Sequence, residues 1–241
     1  MIDKNKKMEI LEGARRWFRE VIAKNHIRNT LKLTNPKEFN IHPFLASYLA
    51  NFLSGNSNPT NIAKALVYPR VLGTSITTSF GQNIQSFTSV LLDAFGSTTS
   101  GIDIEFIDQV DGYKKYCQLK SGPNTINKDD VETIAEHFKG VINLARTNNK
   151  RIPRDDMIVG VVYGTKNDLS SHYRRITYQY DYPVYAGEDF WLRLTGDSNF
   201  YHDLIEAIGS VALESDFSSD LEYVIKELSE TEEIKKLSNI M

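Results

Sequence analysis

The chain has one cysteine, Cys117, so no internal disulfide can staple it. With no apolar secretory segment at its start, this points to a reducing cytoplasm. No apolar run approaches the roughly 20 residues of a membrane helix. The longest, Met157-Ile-Val-Gly-Val-Val-Tyr163, suits a buried strand. Positive charge is not in excess: 28 Lys and Arg stand against 31 Asp and Glu, a net charge of -3. That argues against a chain-wide polycation, although phosphate binding needs only a local basic face. Cys and His nowhere take zinc spacing, and no glycine-rich stretch matches a P-loop or dinucleotide fingerprint. Internal repeats and a Pro/Gly/Ser linker are also lacking, so residues 1–241 read as a single domain.

What is present is a chain of 241 residues, 41% hydrophobic, enough for a well-packed core. Residues 4–32 carry Ile10, Ala14, Trp17, Phe18, Val21 and Ile22 at helical spacing. Helices are expected at 43–53, where Pro43 takes a favoured first position, and at 60–68, ended by Pro69-Arg-Val-Leu-Gly73. Another is expected over 78–92. Residues 128–146 read as a helix with Ile134, Phe138, Val141 and Ile142 on one side. Strands follow at 157–163 and 183–186, then helices at 188–194, 200–213 and 218–237. The order describes an α/β fold, a mixed sheet flanked by helices.

The chemistry concentrates in Gly101-Ile-Asp-Ile-Glu-Phe-Ile-Asp108 and Lys115-Tyr-Cys-Gln-Leu-Lys-Ser-Gly122, two strands joined across the turn signal Asp111-Gly112. Strand side chains alternate, so Asp103 shares a face with Glu105, and Gln118 with Lys120. If the faces coincide, an acid, an amide and an ammonium converge. That is the layout of a magnesium-dependent phosphodiesterase, in which an Asp holds the metal and a Lys orients or activates water. Such pairs are also common as surface ion pairs of little energetic weight. Cys117 faces away from Gln118 and reads as a small core residue.

Several ordered segments resemble a TdeIII-like type II restriction endonuclease of the PD-(D/E)xK nuclease superfamily, whose relatives cut GGNCC-type sites. They are Ile41-His-Pro-Phe-Leu45, Pro69-Arg-Val-Leu-Gly73, Gln118-Leu-Lys-Ser-Gly-Pro-Asn-Thr-Ile-Asn127, Ile158-Val-Gly-Val-Val-Tyr-Gly164 with Tyr173-Arg174, and Val184-Tyr-Ala-Gly-Glu-Asp-Phe-Trp191. The resemblance implies a mixed central sheet with added N- and C-terminal helices. It implies Mg2+-dependent double-strand cutting of DNA at a short palindromic or pseudo-palindromic site, a homodimer, and pairing with a cognate DNA methyltransferase. Carried over by position, Asp103 binds the metal and Lys120 is the catalytic lysine. Gln118 stands where the superfamily usually has Asp or Glu.

The magnesium shell would then be Asp103, the Gln118 side chain and the Leu119 carbonyl. A compensating acid is sought in Glu105, or in Glu132 and Glu136 on the following helix. By the resemblance, Gln85 stands at a position for a Glu. Ser121, Asn124, Thr125 and Asn127, on the loop leaving the catalytic strand, are DNA-contact candidates, as are Arg70, Arg174 and Arg175. Asn127 equally suits a helix N-cap with Asp130 in the first turn. Three alternatives stay open: a repair or structure-specific nuclease on the same core, a catalytically dead DNA-binding relative, and a plain α/β protein with an Asp103–Lys120 ion pair.

Overall fold

Helices dominate both ends of the chain, and a small sheet occupies its middle. In chain order these are α1 (Lys4–Trp17), a π-helical turn (Phe18–Ala23), α2 (Lys24–Leu31), α3 (Pro43–Ser54), α4 (Pro59–Pro69), a second π-helical turn (Arg70–Ser75) and α5 (Ile76–Phe95). Then come β1 (Ile104–Ile107), β2 (Lys114–Lys120), α6 (Lys128–Thr147), β3 (Met157–Val161), α7 (Ser171–Tyr180) and β4 (Val184–Ala186). The chain closes with α8 (Glu188–Thr195), α9 (Phe200–Gly209), α10 (Val211–Glu214), α11 (Ser218–Ser229) and α12 (Glu232–Ser238). This computed structural model describes residues 2–214 and 217–239, and not the side chains at 84, 85, 88, 89, 91–94 and 214. No helix among the described residues is long and apolar enough to cross a membrane.

Two departures from the sequence reading have physical causes. Pro69 does not end the helical run. It lacks an N–H to donate four residues back, and the next turn widens to π geometry before α5 resumes. Helix α7 goes unrecognised because Ser171–Tyr180 is rich in aromatic and β-branched residues that favour strands. Tyr173 and Ile176, three apart, nevertheless bury one face of it.

The chain falls into two compact units, residues 1–17 with 81–209 and residues 18–80 with 210–241. No linker marks the first two crossings, since both lie within continuous helical runs. That is why composition reads as one domain.

The first unit holds the sheet, in the order β1-β2-β3-β4. β1 and β2 form an antiparallel hairpin with Ile104 opposite Cys117, turning at Gly112 with φ 78. β3 lies parallel to β2, and β4 parallel to β3, each reached through a crossover helix, α6 or α7. Val131, Ile134, Phe138, Tyr173 and Ile176 of those helices bury Met157, Val159 and Val161. Gly160 faces the other way. A Cβ there would sit 2.4 Å from the Phe190 ring and 2.9 Å from Cys117 Sγ, so only glycine lets that ring close on the sheet. The second unit packs Ala46 and Ala50 of α3 with Ile62 and Val67 of α4 and Val224, Leu228 and Ile234 of α11 and α12.

Candidate active site

The site forms where the hairpin ladder ends. Asp103 N–H donates to the Cys117 carbonyl at 3.0 Å, the last rung beyond β1. One further step of the register sets Asp103 opposite Gln118, and opposed residues share a face. The Asp103 carboxylate reaches across: its Oδ2 accepts from Leu119 N–H at 2.7 Å. Burial pushes the Asp103 carboxyl above its ordinary value, although Leu119 N–H and Lys120 pull it back. The carboxylate is therefore under-compensated, a condition a cation would relieve. Cys117 points to the opposite face, fully buried, with its thiol pushed well up by burial. It is a core residue and not a nucleophile.

Helix α6 supplies the other wall. Asn127 caps it, accepting from Asp129 and Asp130 N–H, while Asp130 Oδ2 accepts from Asn127 N–H at 2.7 Å. This reciprocal capping box fixes the first turn. Asp130, Thr133, Ile134 and His137 then face the hairpin at one helical spacing. Together with Asp103, Gln118 and Lys120 they line a cavity of about 250 Å³. Gln118 is nearly buried there. Its Nε2 donates to the Gly101 carbonyl at 2.5 Å and lies 2.9 Å from His137 Nδ1.

The acids sought as compensation lie elsewhere. Glu105 shares the face but sits lower on β1. Its carboxylate is held by Lys114 at 2.7 Å and by the Ser97 and Thr99 hydroxyls at 2.6 and 2.7 Å. Glu132 and Glu136 line a different groove, with Lys139, Arg146, Arg151 and Tyr180. A helix turns about 100° per residue, so one position away from Thr133 or His137 is enough to miss the site. Side-chain placement at Gln85 lies outside the described residues. The acid that does reach the cavity is Asp130. The sequence reading placed it only in the helix cap. Asp130, Thr133, Ile134 and His137 could have been found by their i, i+3, i+4, i+7 spacing behind the Lys120 loop.

The donor set suits magnesium in one particular way. Among the described residues no group of three or more His, Cys, Asp and Glu is placed to hold a metal. A hard cation that keeps several waters needs few protein ligands, provided they are oxygens. Asp103 offers one carboxylate. Gln118 offers its amide oxygen, since its nitrogen is engaged. In a strand, a residue's N–H and C=O point to the same edge. Leu119 N–H points at Asp103, so the Leu119 carbonyl is directed that way too. The Lys120 carbonyl instead accepts from Val162 N–H on the β3 side at 2.9 Å. Asp103, Gln118 and Leu119 thus fit a magnesium ion.

Of the DNA-contact candidates, Asn124 is exposed on the loop leaving β2, whereas Ser121 is buried. Thr125 donates to the Gly122 carbonyl at 2.8 Å and meets Tyr173 Oη at 3.1 Å, and the Asn127 side chain is taken by the cap. Arg174 folds onto the Leu169 carbonyl, and Arg175 onto the Gln179 side chain. Arg70 belongs to the second unit.

No curated protein matches this chain. A family model described as type II restriction endonuclease EcoO109I matches residues 15–216, a span that includes the hairpin, α6 and the whole cavity. The chain belongs to the type II restriction endonuclease EcoO109I family.

Proposed function

We propose that this restriction endonuclease is a Mg2+-dependent homodimer that makes double-strand cuts at a short palindromic or pseudo-palindromic, GGNCC-like DNA site. The observation that carries the reading is the cavity shared by Asp103, Gln118 and Lys120 at the open end of the hairpin. Asp103, the Gln118 amide oxygen and the Leu119 carbonyl are the residues that would hold magnesium. When bound, magnesium supplies positive charge beside the scissile phosphate and lowers the pKa of the attacking water. Lys120, half-buried on the same wall, holds that phosphate and water in line. Asp130 adds a second negative charge to the cavity and so favours a divalent over a monovalent cation. The Leu119–Asp103 hydrogen bond keeps acid and lysine in register through the reaction.

Sequence reading is assigned to the loop after Lys120, where Asn124 is an exposed polar side chain. Arg70, Arg174 and Arg175 are the arginines proposed to meet phosphates or guanine edges. G·C pairs flanking a tolerated centre offer bidentate acceptors to arginine. A two-fold site is read economically by two copies of the chain, each cutting one strand. Helix α3 supports the dimer. It turns Phe44, Leu45, Tyr48, Leu49, Phe52 and Leu53 outward, with Phe44 at 85% exposure and Phe52 at 80%. Contiguous apolar surface of this kind marks an interaction site. A cognate DNA methyltransferase would protect the host's own sites.

Digestion of DNA of known sequence, with and without magnesium, followed by sequencing of the ends, tests the reading. Discrete fragments with 5′-overhanging ends, flanked by G·C pairs and formed only with the ion, are expected. A smear would indicate a structure-specific nuclease, and binding without cutting a dead relative.

A further inference from the structure

We infer that His137 is a positioning residue. It fixes the Gln118 amide so that its oxygen, and not its nitrogen, faces the cation. The inference rests on the nuclease reading above and concerns how this chain works with an amide where an acid is usual.

The argument begins at Gly101. Its carbonyl oxygen lies 2.5 Å from Gln118 Nε2. A carbonyl only accepts, so the facing amide atom must be the nitrogen. That nitrogen carries two hydrogens. The second is directed at His137 Nδ1, 2.9 Å away. Nδ1 must therefore be the accepting ring nitrogen, leaving Nε2 as the donor. Both hydrogens are spent, and the amide oxygen is the only pole left for the cavity. Rotating the amide by half a turn would set its oxygen against two acceptors at once. Gly101 and His137 thus form a two-point clamp.

The clamp is built tightly. Gly101 has φ +79, a conformation that favours glycine. A Cβ there would lie 2.8 Å from His137 Cγ and 3.0 Å from His137 Cβ, so the ring packs directly on this glycine. His137 also sits three and four residues beyond Ile134 and Thr133 on the cavity face of α6. A glutamate at 118 in the same pose would turn a carboxylate oxygen onto the Gly101 carbonyl. The amide and the histidine are a matched pair.

The test is Mn2+ binding by calorimetry to the full chain without DNA, paired with the Mg2+ concentration giving half-maximal cleavage. Groups that orient metal ligands commonly change affinity by about tenfold or more when removed. His137→Ala should weaken Mn2+ binding by about tenfold and raise the Mg2+ requirement similarly. His137→Asn, which offers an accepting Oδ1 near the Nδ1 position, should restore binding to within about twofold of wild type. In a Gln118→Ala background, His137→Ala should cost nothing further, because the two act as one unit. Equal binding by His137→Ala and wild type, failure of the asparagine rescue, or full additivity with Gln118→Ala would each overturn the inference. Asp103→Ala separates the two levels. If it abolishes Mn2+ binding while His137→Ala does not weaken it, only the positioning role falls. If Asp103→Ala leaves binding intact, the metal site itself is wrong and the inference falls with it.

Discussion

Leu119 N–H donates to Asp103 Oδ2 at 2.7 Å, so the acid of the site also clasps the strand that carries its lysine. One carboxylate therefore has two tasks. It continues the ladder past the end of β1, and it presents charge to the cavity. Substitutions at this position must separate those tasks to be informative.

Asp103→Asn does so, because an amide oxygen can still accept from Leu119 N–H. Cleavage should fall by a factor on the order of a hundred or more. Stability should move the other way. The Asp103 carboxyl is raised above its ordinary value in the folded chain, by burial first. The folded state thus holds the proton more tightly than the unfolded state does. Its contribution is present below the ordinary carboxylate range and is lost as pH rises through the raised value. At neutral pH without metal, the buried charge is a cost that asparagine removes. Thermal unfolding of the metal-free proteins should show the variant more stable near neutrality, with the gap closing as pH falls through the raised value and gone by about 4. A wild type that is the more stable partner at neutral pH would refute this.

Glu105→Gln tests the neighbouring acid. Burial pushes the Glu105 carboxyl up, but Lys114, Ser97 and Thr99 together hold it below its ordinary value. A depressed carboxylate stabilises above its unfolded pKa, and that stability disappears as pH falls through the folded value. Glutamine should cost about 1.5–3 kcal/mol near neutral pH, the weight of hydrogen bonds to a charged group. The deficit should shrink in acid. Cleavage should stay within about threefold of wild type, far less than loss of a catalytic charge. A collapse of activity in a folded variant would return Glu105 to the metal site.

Lys115 marks the far end of the same strand. Its side chain is 2% exposed, with Nζ 2.8 Å from Asp111 and 2.7 Å from Asp156. Breaking such a cluster leaves an uncompensated buried charge. Lys115→Met should cost about 3–5 kcal/mol in denaturant unfolding. Activity per folded molecule should persist at low temperature. A loss below about 1 kcal/mol would mean that the cluster hydrates readily.

How much of this was legible in the sequence depends on which physical signal each part leaves. The pairing that brings Asp103 to Gln118 emerges only in the structure, but the hairpin and its faces were readable: Asp111-Gly112 demands a turn, and period-two alternation groups Asp103 with Glu105 and Gln118 with Lys120. The choice of α6 face was not. Asp130, Glu132, Thr133 and Glu136 look alike as exposed polar positions, and only the packing of Val131, Ile134 and Phe138 against β3 decides which of them turns to the cavity. The clamp on Gln118 was hidden for the same reason. It needs the positive φ of Gly101 and a histidine 36 residues later to meet. The two-unit division left no mark, because continuous helical runs carry the first two crossings.

Helix α3 carries the last prediction. Its amphipathicity is inverted: the small Ala46 and Ala50 face the core of the second unit, while the large apolar side chains face out. Packing does not require such an arrangement, and in water it is unfavourable. Covered by a second copy, the same face would favour association. Burying a phenylalanine contributes about 1.5–3 kcal/mol. Replacing Phe44 and Phe52 with aspartate in each copy takes away four such side chains, on the order of 6 kcal/mol or more. That is roughly ten-thousandfold in dimer dissociation constant. The substitutions leave Ala46 and Ala50 untouched, so far-ultraviolet circular dichroism should hold, while the unfolding midpoint should lose its dependence on protein concentration. Sedimentation should give twice 27.4 kDa for the wild-type chain and 27.4 kDa for Phe44→Asp/Phe52→Asp. Supercoiled plasmid should then accumulate as nicked circles instead of linear DNA, since a lone copy cuts one strand per encounter. A variant that remains dimeric, or a wild type that is monomeric on cognate DNA, would place the interface elsewhere or remove it.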